Sequence, residues 1–152
     1  MLPLNSQLLF TLTGRVSPPV DIGVTASGHR RIIPVDGGEF DGPRLQGTVL
    51  AGGADWMVID PDGVAHVDVR VTLQTTDGER IYMSYRGLRH GPPDVMARLE
   101  RGSPVEPSEY YFRIAPWFET GSKKYAWLNR MLAVGIGHRL AAGPVYYVYE
   151  IL

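Results

Sequence analysis

The chain has 152 residues, which is the size of one ordinary domain and enough to bury a core. Hydrophobic residues make up 44% of it and charged residues 20%, a balance typical of soluble globular proteins rather than disordered or membrane-embedded ones. The net charge of −1 argues against binding nucleic acid through bulk charge. The absence of cysteine excludes disulfide scaffolds, thiolate zinc sites and thiol nucleophiles.

Residues 1–5 lack the basic region of a signal peptide, so we expect no targeting signal at the start of the chain. The longest apolar candidate, residues 131–149, is interrupted by His138, Arg139 and Pro144. It therefore falls short of the ~18 apolar residues that cross a membrane. We expect a cytoplasmic protein with no membrane partner.

Turn-forming residues divide the chain at short intervals, and the runs between them alternate with period 2 and are rich in Val, Ile, Thr and Tyr. This pattern is typical of antiparallel strands. The clearest hairpin joins residues 65–76 to residues 79–88 through Asp77-Gly78, and residues 59–64 form a looser turn between two further strands. The last run, residues 145–152, predicts a strand that is paired and buried because it is so apolar.

Only one segment has a clear helical pattern. Pro92-Pro93-Asp94 precedes residues 95–101, and Gly102 follows them, which matches the usual signals for the start and end of a helix. Residues 125–132 fit both helical and strand spacing. The glycines at 135 and 137 and the strand-like tail beyond them favour a strand at 125–132.

Nine or ten strands, one short helix and no linker predict a single all-β domain over residues 1–152. Strands this apolar would leave unpaired edges that promote aggregation if the sheet stayed open. Closure into an antiparallel β-barrel, or a tightly packed sandwich, is therefore expected.

The strand at residues 66–74 alternates between an apolar and a polar face. Its three valines and Leu73 share one face, and Asp68 and Arg70 lie on the other. On a sandwich the polar face meets solvent, and Asp68–Arg70 is a surface ion pair worth at most ~1 kcal/mol. In a barrel the polar row can instead line the lumen. The alternation allows both interpretations.

Polar groups with aromatic neighbours recur in the predicted strands, and their convergence would build an aromatic-walled cavity for a small molecule. In such a cavity Asp68 or Glu119 would carry a proton as a general acid or base, and an arginine would hold a carboxylate or stabilise an enolate. The candidate ligand-binding residues are Asp55, Trp56, Arg70, Tyr85, Arg113, Tyr125, Trp127 and Asn129.

Other kinds of site lack support. The four histidines, at positions 29, 66, 90 and 138, show no metal-ligand spacing. There is no P-loop and no dinucleotide-binding glycine pattern. We therefore expect no metal, no cofactor and no nucleic-acid partner.

Several motifs between residues 37 and 129 occur in a distinctive order. They include Gly37-Gly38-Glu39-Phe40, Gly52-Gly53-Ala54-Asp55-Trp56, Asp68-x-Arg70, Phe118-Glu119-Thr120 and Tyr125-x-Trp127-Leu128-Asn129. In this order they resemble a bacterial family of uncharacterised proteins, known only as a domain of unknown function. The resemblance implies a compact antiparallel barrel like the lipocalin-type or calycin barrels, often assembled as dimers or larger. It brings no activity, but it favours the lumen interpretation because the candidate residues fall within its motifs.

Two functional hypotheses from different classes follow. The first is a barrel that binds a small, mainly apolar or aromatic, anionic molecule. Trp56, Trp127 and Tyr85 would form the walls of its binding site, and Arg70 or Arg113 would bind the negative charge of the ligand. Its stronger form is a cofactor-free lyase, isomerase or cyclase.

The alternative hypothesis is a non-enzymatic oligomeric interaction module with a packed barrel. It predicts a filled interior and an apolar interface around residues 146–152. A homo-oligomer, a dimer or larger, is the expected assembly.

Overall fold

The structure, a computed structural model, describes residues 1–152 and contains ten strands. They are β1 Ser6–Val16, β2 Val20–Thr25, β3 Gly28–Asp41, β4 Gln46–Val49, β5 Gly53–Ile59, β6 Ala65–Thr75, β7 Arg80–His90, β8 Tyr111–Glu119, β9 Ala133–Leu140 and β10 Gly143–Ile151. One α-helix, α1 (Pro93–Glu100), and two 3-10 helices, Pro107–Glu109 and Ala126–Arg130, complete the secondary structure. None of these helices has the length and apolar character needed to cross a membrane.

The strands form one antiparallel sheet that closes on itself. Around the ring the order is β1, β10, β9, β8, β7 and β6, followed by β4 and β5, which share one position between β6 and β3. Pairing of β3 with β1 closes the ring into an eight-strand barrel, and β2 lies outside it as a partner of β3 alone. The predicted closed antiparallel barrel is confirmed.

The local predictions around the turns are confirmed as well. β6 and β7 pair from Ala65↔Arg89 to Gln74↔Arg80, and Gly78 in their turn has a φ of +88°, which favours glycine. The looser turn brings Ile59 opposite Ala65. The helix occupies Pro93–Glu100, and the last strand is paired on both sides, with β1 and with β9.

The segment at residues 125–132 is not a strand, so that prediction is wrong. It forms the 3-10 helix Ala126–Arg130, and strand pairing begins only at Ala133. Tyr125 and Leu128 are both buried, and a three-residue spacing brings two side chains to the same side of a 3-10 turn. The Asn129 side chain also holds the preceding loop, since it accepts from the Thr120 N–H at 2.8 Å and donates to the Thr120 carbonyl at 3.0 Å.

The interior of the barrel differs between its two halves. One half is filled by large side chains, among them Phe10, Phe40 and Phe118, with the centroid of the Phe10 ring 5.4 Å from that of Phe40 and 5.9 Å from that of Phe118. The other half, towards α1, encloses a cavity of about 300 Å³. The filled interior expected under the alternative hypothesis therefore describes only one half of the barrel.

Candidate functional site

Closure of the barrel decides which face of β6 is inside. Val67, Val69 and Val71 point into the interior, and Asp68 and Arg70 point outwards. The side chains of Asp68 and Arg70 are 33% and 47% exposed and form a surface ion pair at 3.6 Å. The lumen interpretation of this polar row is wrong, because burying the valines removes apolar surface from water, whereas burying the charged row would cost desolvation.

Most other predicted site residues also lie outside the cavity. Glu119 and Arg113 are on the exposed face of β8. The two expected proton carriers, Asp68 and Glu119, therefore both lie outside the barrel. The two arginines expected to bind the ligand's charge, Arg70 and Arg113, lie outside it as well. The remaining four, Trp56, Tyr125, Trp127 and Asn129, also contact other parts of the molecule. The centroid of the Trp56 ring lies 5.2 Å from the Arg70 guanidinium, and that of the Trp127 ring lies 4.0 Å from the Arg44 guanidinium. The Tyr125 hydroxyl donates to Asp77 at the opposite end of the barrel, and Asn129 holds the Thr120 loop.

Asp55 and Tyr85 are the two predicted residues that line the cavity. Asp55 of β5 pairs with Val69 of β6, and Val69 pairs with Tyr85 of β7. Paired residues of an antiparallel sheet point to the same face, so the three form a row across the cavity wall. The structure thus brings together one carboxyl and one phenol from the predicted set.

The Asp55 carboxyl has an unusual electrostatic environment. Its Oδ1 accepts one hydrogen bond, from the backbone N–H of Asp68 at 3.0 Å. Burial away from water outweighs this bond and the nearby positive charges, and it raises the pKa of Asp55 to about 6. The carboxyl therefore changes protonation state close to neutral pH, as a general acid or base must.

Sequence reasoning missed Arg89 and Arg139, which both line the cavity. Arg89 shares the interior phase of β7 with Tyr85, and Arg139 shares that of β9 with Gly137. Neither belongs to the arginines that form ion pairs, which are Arg15, Arg31, Arg44, Arg70 and Arg98. An arginine in the apolar phase of a strand was the signal that would have found them.

Aromatic rings form the wall between these charged groups. The ring centroid of Tyr146 lies 5.2 Å from that of Tyr85 and 5.4 Å from that of Phe112, both in edge-to-face contact. Burial raises the pKa of both phenols, so Tyr85 and Tyr146 stay protonated and neutral. They add hydrogen-bonding capacity to the cavity without adding charge.

Helix α1 forms part of the cavity wall at its outer end. Met96, Leu99 and Glu100 of this helix line the cavity, as does Arg31 of β3. The Arg31 Nη1 atom lies 2.7 Å from Oε1 of Glu100, so an ion pair connects the helix to the barrel. The charges of these two residues cancel at the cavity mouth.

The arrangement combines one carboxyl that titrates near neutral pH, two guanidiniums without carboxylate partners, and an apolar and aromatic wall. Such a cavity has the size and composition of a small-molecule site. Its groups are able to exchange a proton with a bound ligand and to stabilise negative charge on it.

Comparison with known proteins finds relatives along the whole chain. The UPF0311 protein RPA1785 of Rhodopseudomonas palustris is 38% identical over 149 residues, which cover 98% of this chain and 97% of that protein. The crystal structure of RPA1785 has a TM-score of 0.96 to this structure, with all of both chains covered. A beta-barrel like protein from Acinetobacter baumannii AYE is 40% identical, with a TM-score of 0.88 and coverage of 100% of this chain and 98% of that one.

A more distant similarity leads to an enzyme. The hydroalkoxylation enzyme phnH of Penicillium herquei is 26% identical over 133 residues, which cover 88% of this chain and 74% of phnH. The crystal structure of an enzyme from the same fungus shares the fold, with a TM-score of 0.75, 24% identity and coverage of 100% of this chain and 97% of that one.

The family expected from the sequence is confirmed by a direct match. The model of the family described as "Protein of unknown function (DUF3237)" matches residues 4–151. Since this match spans almost the entire barrel and the full-length relatives share its fold, the chain belongs to the DUF3237 family.

Proposed function

We propose that this barrel is a cofactor-independent enzyme that binds a small, mainly apolar or aromatic molecule and moves a proton on it with Asp55. The observation that carries the proposal is a partly buried carboxyl, with its pKa raised to about 6, in the wall of a cavity of about 300 Å³. The proposal keeps the reaction class of lyase, isomerase or cyclase expected from the sequence. It transfers the role of proton carrier from Asp68 and Glu119 to Asp55.

The activity of the distant relative favours the cyclase form of the proposal. Hydroalkoxylation, the reaction in the name of phnH, adds an O–H group across a C=C double bond. A C–O and a C–H bond form while an O–H bond and the π bond break, so one proton moves from oxygen to carbon and no oxidant or reductant is consumed. A single carboxyl that both accepts and donates a proton meets this need.

The steps assigned to Asp55 start from its carboxylate. It accepts the proton of the substrate hydroxyl, and the resulting oxyanion attacks a double bond conjugated with a carbonyl. The π electron pair moves to the carbonyl as an enolate, which the positive charges of the cavity stabilise. The protonated Asp55 then returns its proton to carbon, and the enzyme regains its starting state.

The surroundings of Asp55 support this role. Its hydrogen bond from the Asp68 backbone N–H fixes one oxygen, Oδ1, and leaves the other, Oδ2, for the substrate. The neutral Tyr85–Tyr146 pair is able to donate a hydrogen bond to a substrate oxygen without competing for the proton. The apolar wall excludes water, which strengthens each of these interactions.

The test compares Asp55→Asn with the matched outer-face variant Asp68→Asn. Both proteins, and the unmodified one, are incubated in D₂O with 2′-hydroxychalcone, which carries a hydroxyl near a double bond that is conjugated with a carbonyl. Ring closure places one deuterium on carbon, and mass spectrometry detects it as a product one mass unit heavier. We expect Asp55→Asn to lower turnover about 10²–10⁴-fold, the usual contribution of a general acid or base, and Asp68→Asn to leave it unchanged.

The pH profile adds an independent readout. Because the mechanism starts from the carboxylate, kcat/KM should rise as the pH rises through about 6, the pKa of Asp55. Turnover by Asp55→Asn at the rate of the unmodified protein would contradict the proposal. So would a kcat/KM that is constant between pH 5 and pH 8.

A further inference from the structure

Two like charges lie on neighbouring parts of the cavity wall. Arg89 of β7 and Arg139 of β9 are separated by a single strand, β8, with which both strands pair. Adjacent strands are about 4.8 Å apart, so β7 and β9 are about 10 Å apart across the sheet. The register places Arg139 two residues further along β9 than the position next to Arg89, and two arginine side chains at this spacing are long enough to reach one small group in the cavity.

The surroundings hold both residues in place without neutralising them. The Arg89 guanidinium lies 5.6 Å from the centroid of the Phe112 ring. The backbone N–H of Arg139 donates to the Tyr110 hydroxyl at 2.8 Å, which fixes the backbone of Arg139 next to β8. The only two carboxyls that line the cavity are Asp55 and Glu100, and Glu100 forms its ion pair with Arg31. No carboxylate forms an ion pair with Arg89 or Arg139.

The charge balance of the cavity is therefore incomplete. Arg31 and Glu100 cancel each other at the mouth, and the ionised Asp55 offsets only one of the two remaining arginines. One positive charge is left over in an apolar enclosure, where a charge without a partner is costly. Burial and the repulsion from Arg139 both lower the pKa of Arg89, which reflects this cost. A ligand with a single negative charge would complete the balance.

We infer that Arg89 and Arg139 form a subsite for one anionic oxygen group, which selects apolar or aromatic ligands that carry a single carboxylate or comparable oxyanion. This inference rests on the proposed function, since the subsite lies in the same cavity, and it names the class of substrate. The planar guanidinium recognises such a group through paired N–H donors. The rings of Phe112, Tyr85 and Tyr146 contact the body of the ligand.

The experiment compares two probes of nearly equal shape, 2-naphthoate and its neutral amide, 2-naphthamide. Their affinities are measured by isothermal titration calorimetry at pH 7.5 for the unmodified protein, Arg89→Gln, Arg139→Gln and the matched control Arg113→Gln, whose arginine lies on the outer face of β8. We expect naphthoate to bind the unmodified protein and the control at least tenfold more tightly than naphthamide. In Arg89→Gln and Arg139→Gln this preference should disappear.

A second measurement separates a binding role from a structural one. Removing one of two unpaired like charges relieves repulsion in the empty cavity, so Arg89→Gln and Arg139→Gln should melt at or above the Tm of the unmodified protein. Naphthoate should raise the Tm of the unmodified protein and not that of the variants. Lower Tm values for both variants together with an unchanged preference for naphthoate would overturn the inference.

The remaining outcomes distinguish the subsite from the proposed function. Equal affinities of the unmodified protein for naphthoate and naphthamide would overturn the anion subsite and leave a neutral ligand for the proposed enzyme. A preference for naphthoate that persists in Arg89→Gln and Arg139→Gln would place the anion elsewhere. Binding of neither probe would overturn the ligand-binding cavity, and the proposed function with it.

Discussion

Asp55 links the electrostatics of a single side chain to the stability of the whole protein. An aspartate in an unfolded chain titrates near 3.9, whereas burial raises the pKa of Asp55 to about 6 in the folded protein. The folded state therefore holds this proton more tightly than the unfolded state. The resulting stability is fully present below pH ~4 and is lost as the pH rises through about 6.

Replacing Asp55 by Asn should consequently stabilise the protein at alkaline pH. The amide cannot ionise, yet its oxygen is able to accept the hydrogen bond from the Asp68 N–H. A shift of about two pKa units corresponds to about 2–3 kcal/mol, so Asp55→Asn should be more stable than the unmodified protein by about this amount at pH 8 and equal to it at pH 4. Urea unfolding at the two pH values measures the difference.

The matched control for this measurement is Asp68→Asn, which removes the same charge from the outer face of the neighbouring strand. Its stability relative to the unmodified protein should change little between pH 4 and pH 8. An Asp55→Asn variant that is less stable than the unmodified protein at pH 8 would contradict the assignment of Asp55 as a carboxyl that is costly to ionise.

At the scale of elements, the cavity depends on how closely β9 approaches β8. Gly137 faces the interior, and a Cβ atom built on it would lie 2.4–2.7 Å from three ring atoms of Phe112. The Phe112 ring is fully packed and would have to move towards the cavity. The absence of a side chain at Gly137 therefore leaves room for the Phe112 ring beside β9.

We expect Gly137→Ala to destabilise the protein by about 1–3 kcal/mol, the usual cost of overpacking a core. It should also weaken the binding of 2-naphthoate, because the displaced Phe112 ring takes up cavity volume. The matched control is Gly121→Ala, where nothing lies within 4 Å of the new Cβ and a change within about 0.5 kcal/mol is expected. Equal Tm values for the two variants would contradict this account of the wall.

The elements also show which sequence patterns were sufficient for prediction. The Asp77-Gly78 hairpin, α1 and the final strand were predicted because their signals are local: a turn dipeptide, proline before a helix with glycine after it, and a continuous apolar run. The 3-10 helix at Ala126–Arg130 was not, because its shape depends on burying Tyr125 and Leu128 and on the loop that Asn129 holds. The hydrogen bond from the Tyr125 hydroxyl to Asp77 also joins this helix to a distant part of the chain.

At the scale of the whole molecule, the outer face of β8 and β9 exposes apolar side chains. Trp117 is 61% exposed, Val134 46% and Ile136 36%. Ile136 pairs with Tyr147 of β10, which belongs to the segment where the sequence placed an interface, so the two lie side by side on the outer face. Clustered apolar surface of this kind is typical of interaction sites, and the homo-oligomer stays a prediction with this face as its location.

A charged residue in this surface should disrupt self-association. A buried interfacial tryptophan often contributes 2 kcal/mol or more, so Trp117→Glu should weaken association at least about tenfold in sedimentation velocity experiments. Ile22→Glu, which changes an exposed apolar residue of the outer strand β2, is the control and should leave association unchanged. A monomeric unmodified protein at concentrations of tens of micromolar would contradict the prediction.

The sequence alone determined the strand pattern, because period-2 alternation and turn residues are local properties of the chain. The alternation allowed a barrel or a sandwich, and the motifs that resemble a known family favoured the barrel. The sequence also determined which side chains share a face, such as Asp68 with Arg70 and Asp55 with Met57. Only the tertiary structure decided which of two faces is inside. That choice belongs to closure of the whole sheet, which turned the apolar phase of β6 inwards and left Asp68 and Arg70 in solvent.

The same closure decided the composition of the site. Asp55, Arg89 and Arg139 are charged residues in apolar phases of three different strands, and this local signal does not show that the three meet. Their meeting depends on the order β5, β6, β7, β8, β9 around the ring, which joins positions up to 84 residues apart in the chain. A site assembled by pairing between distant strands is decided only when the barrel closes, because only then do residues remote in sequence share one cavity.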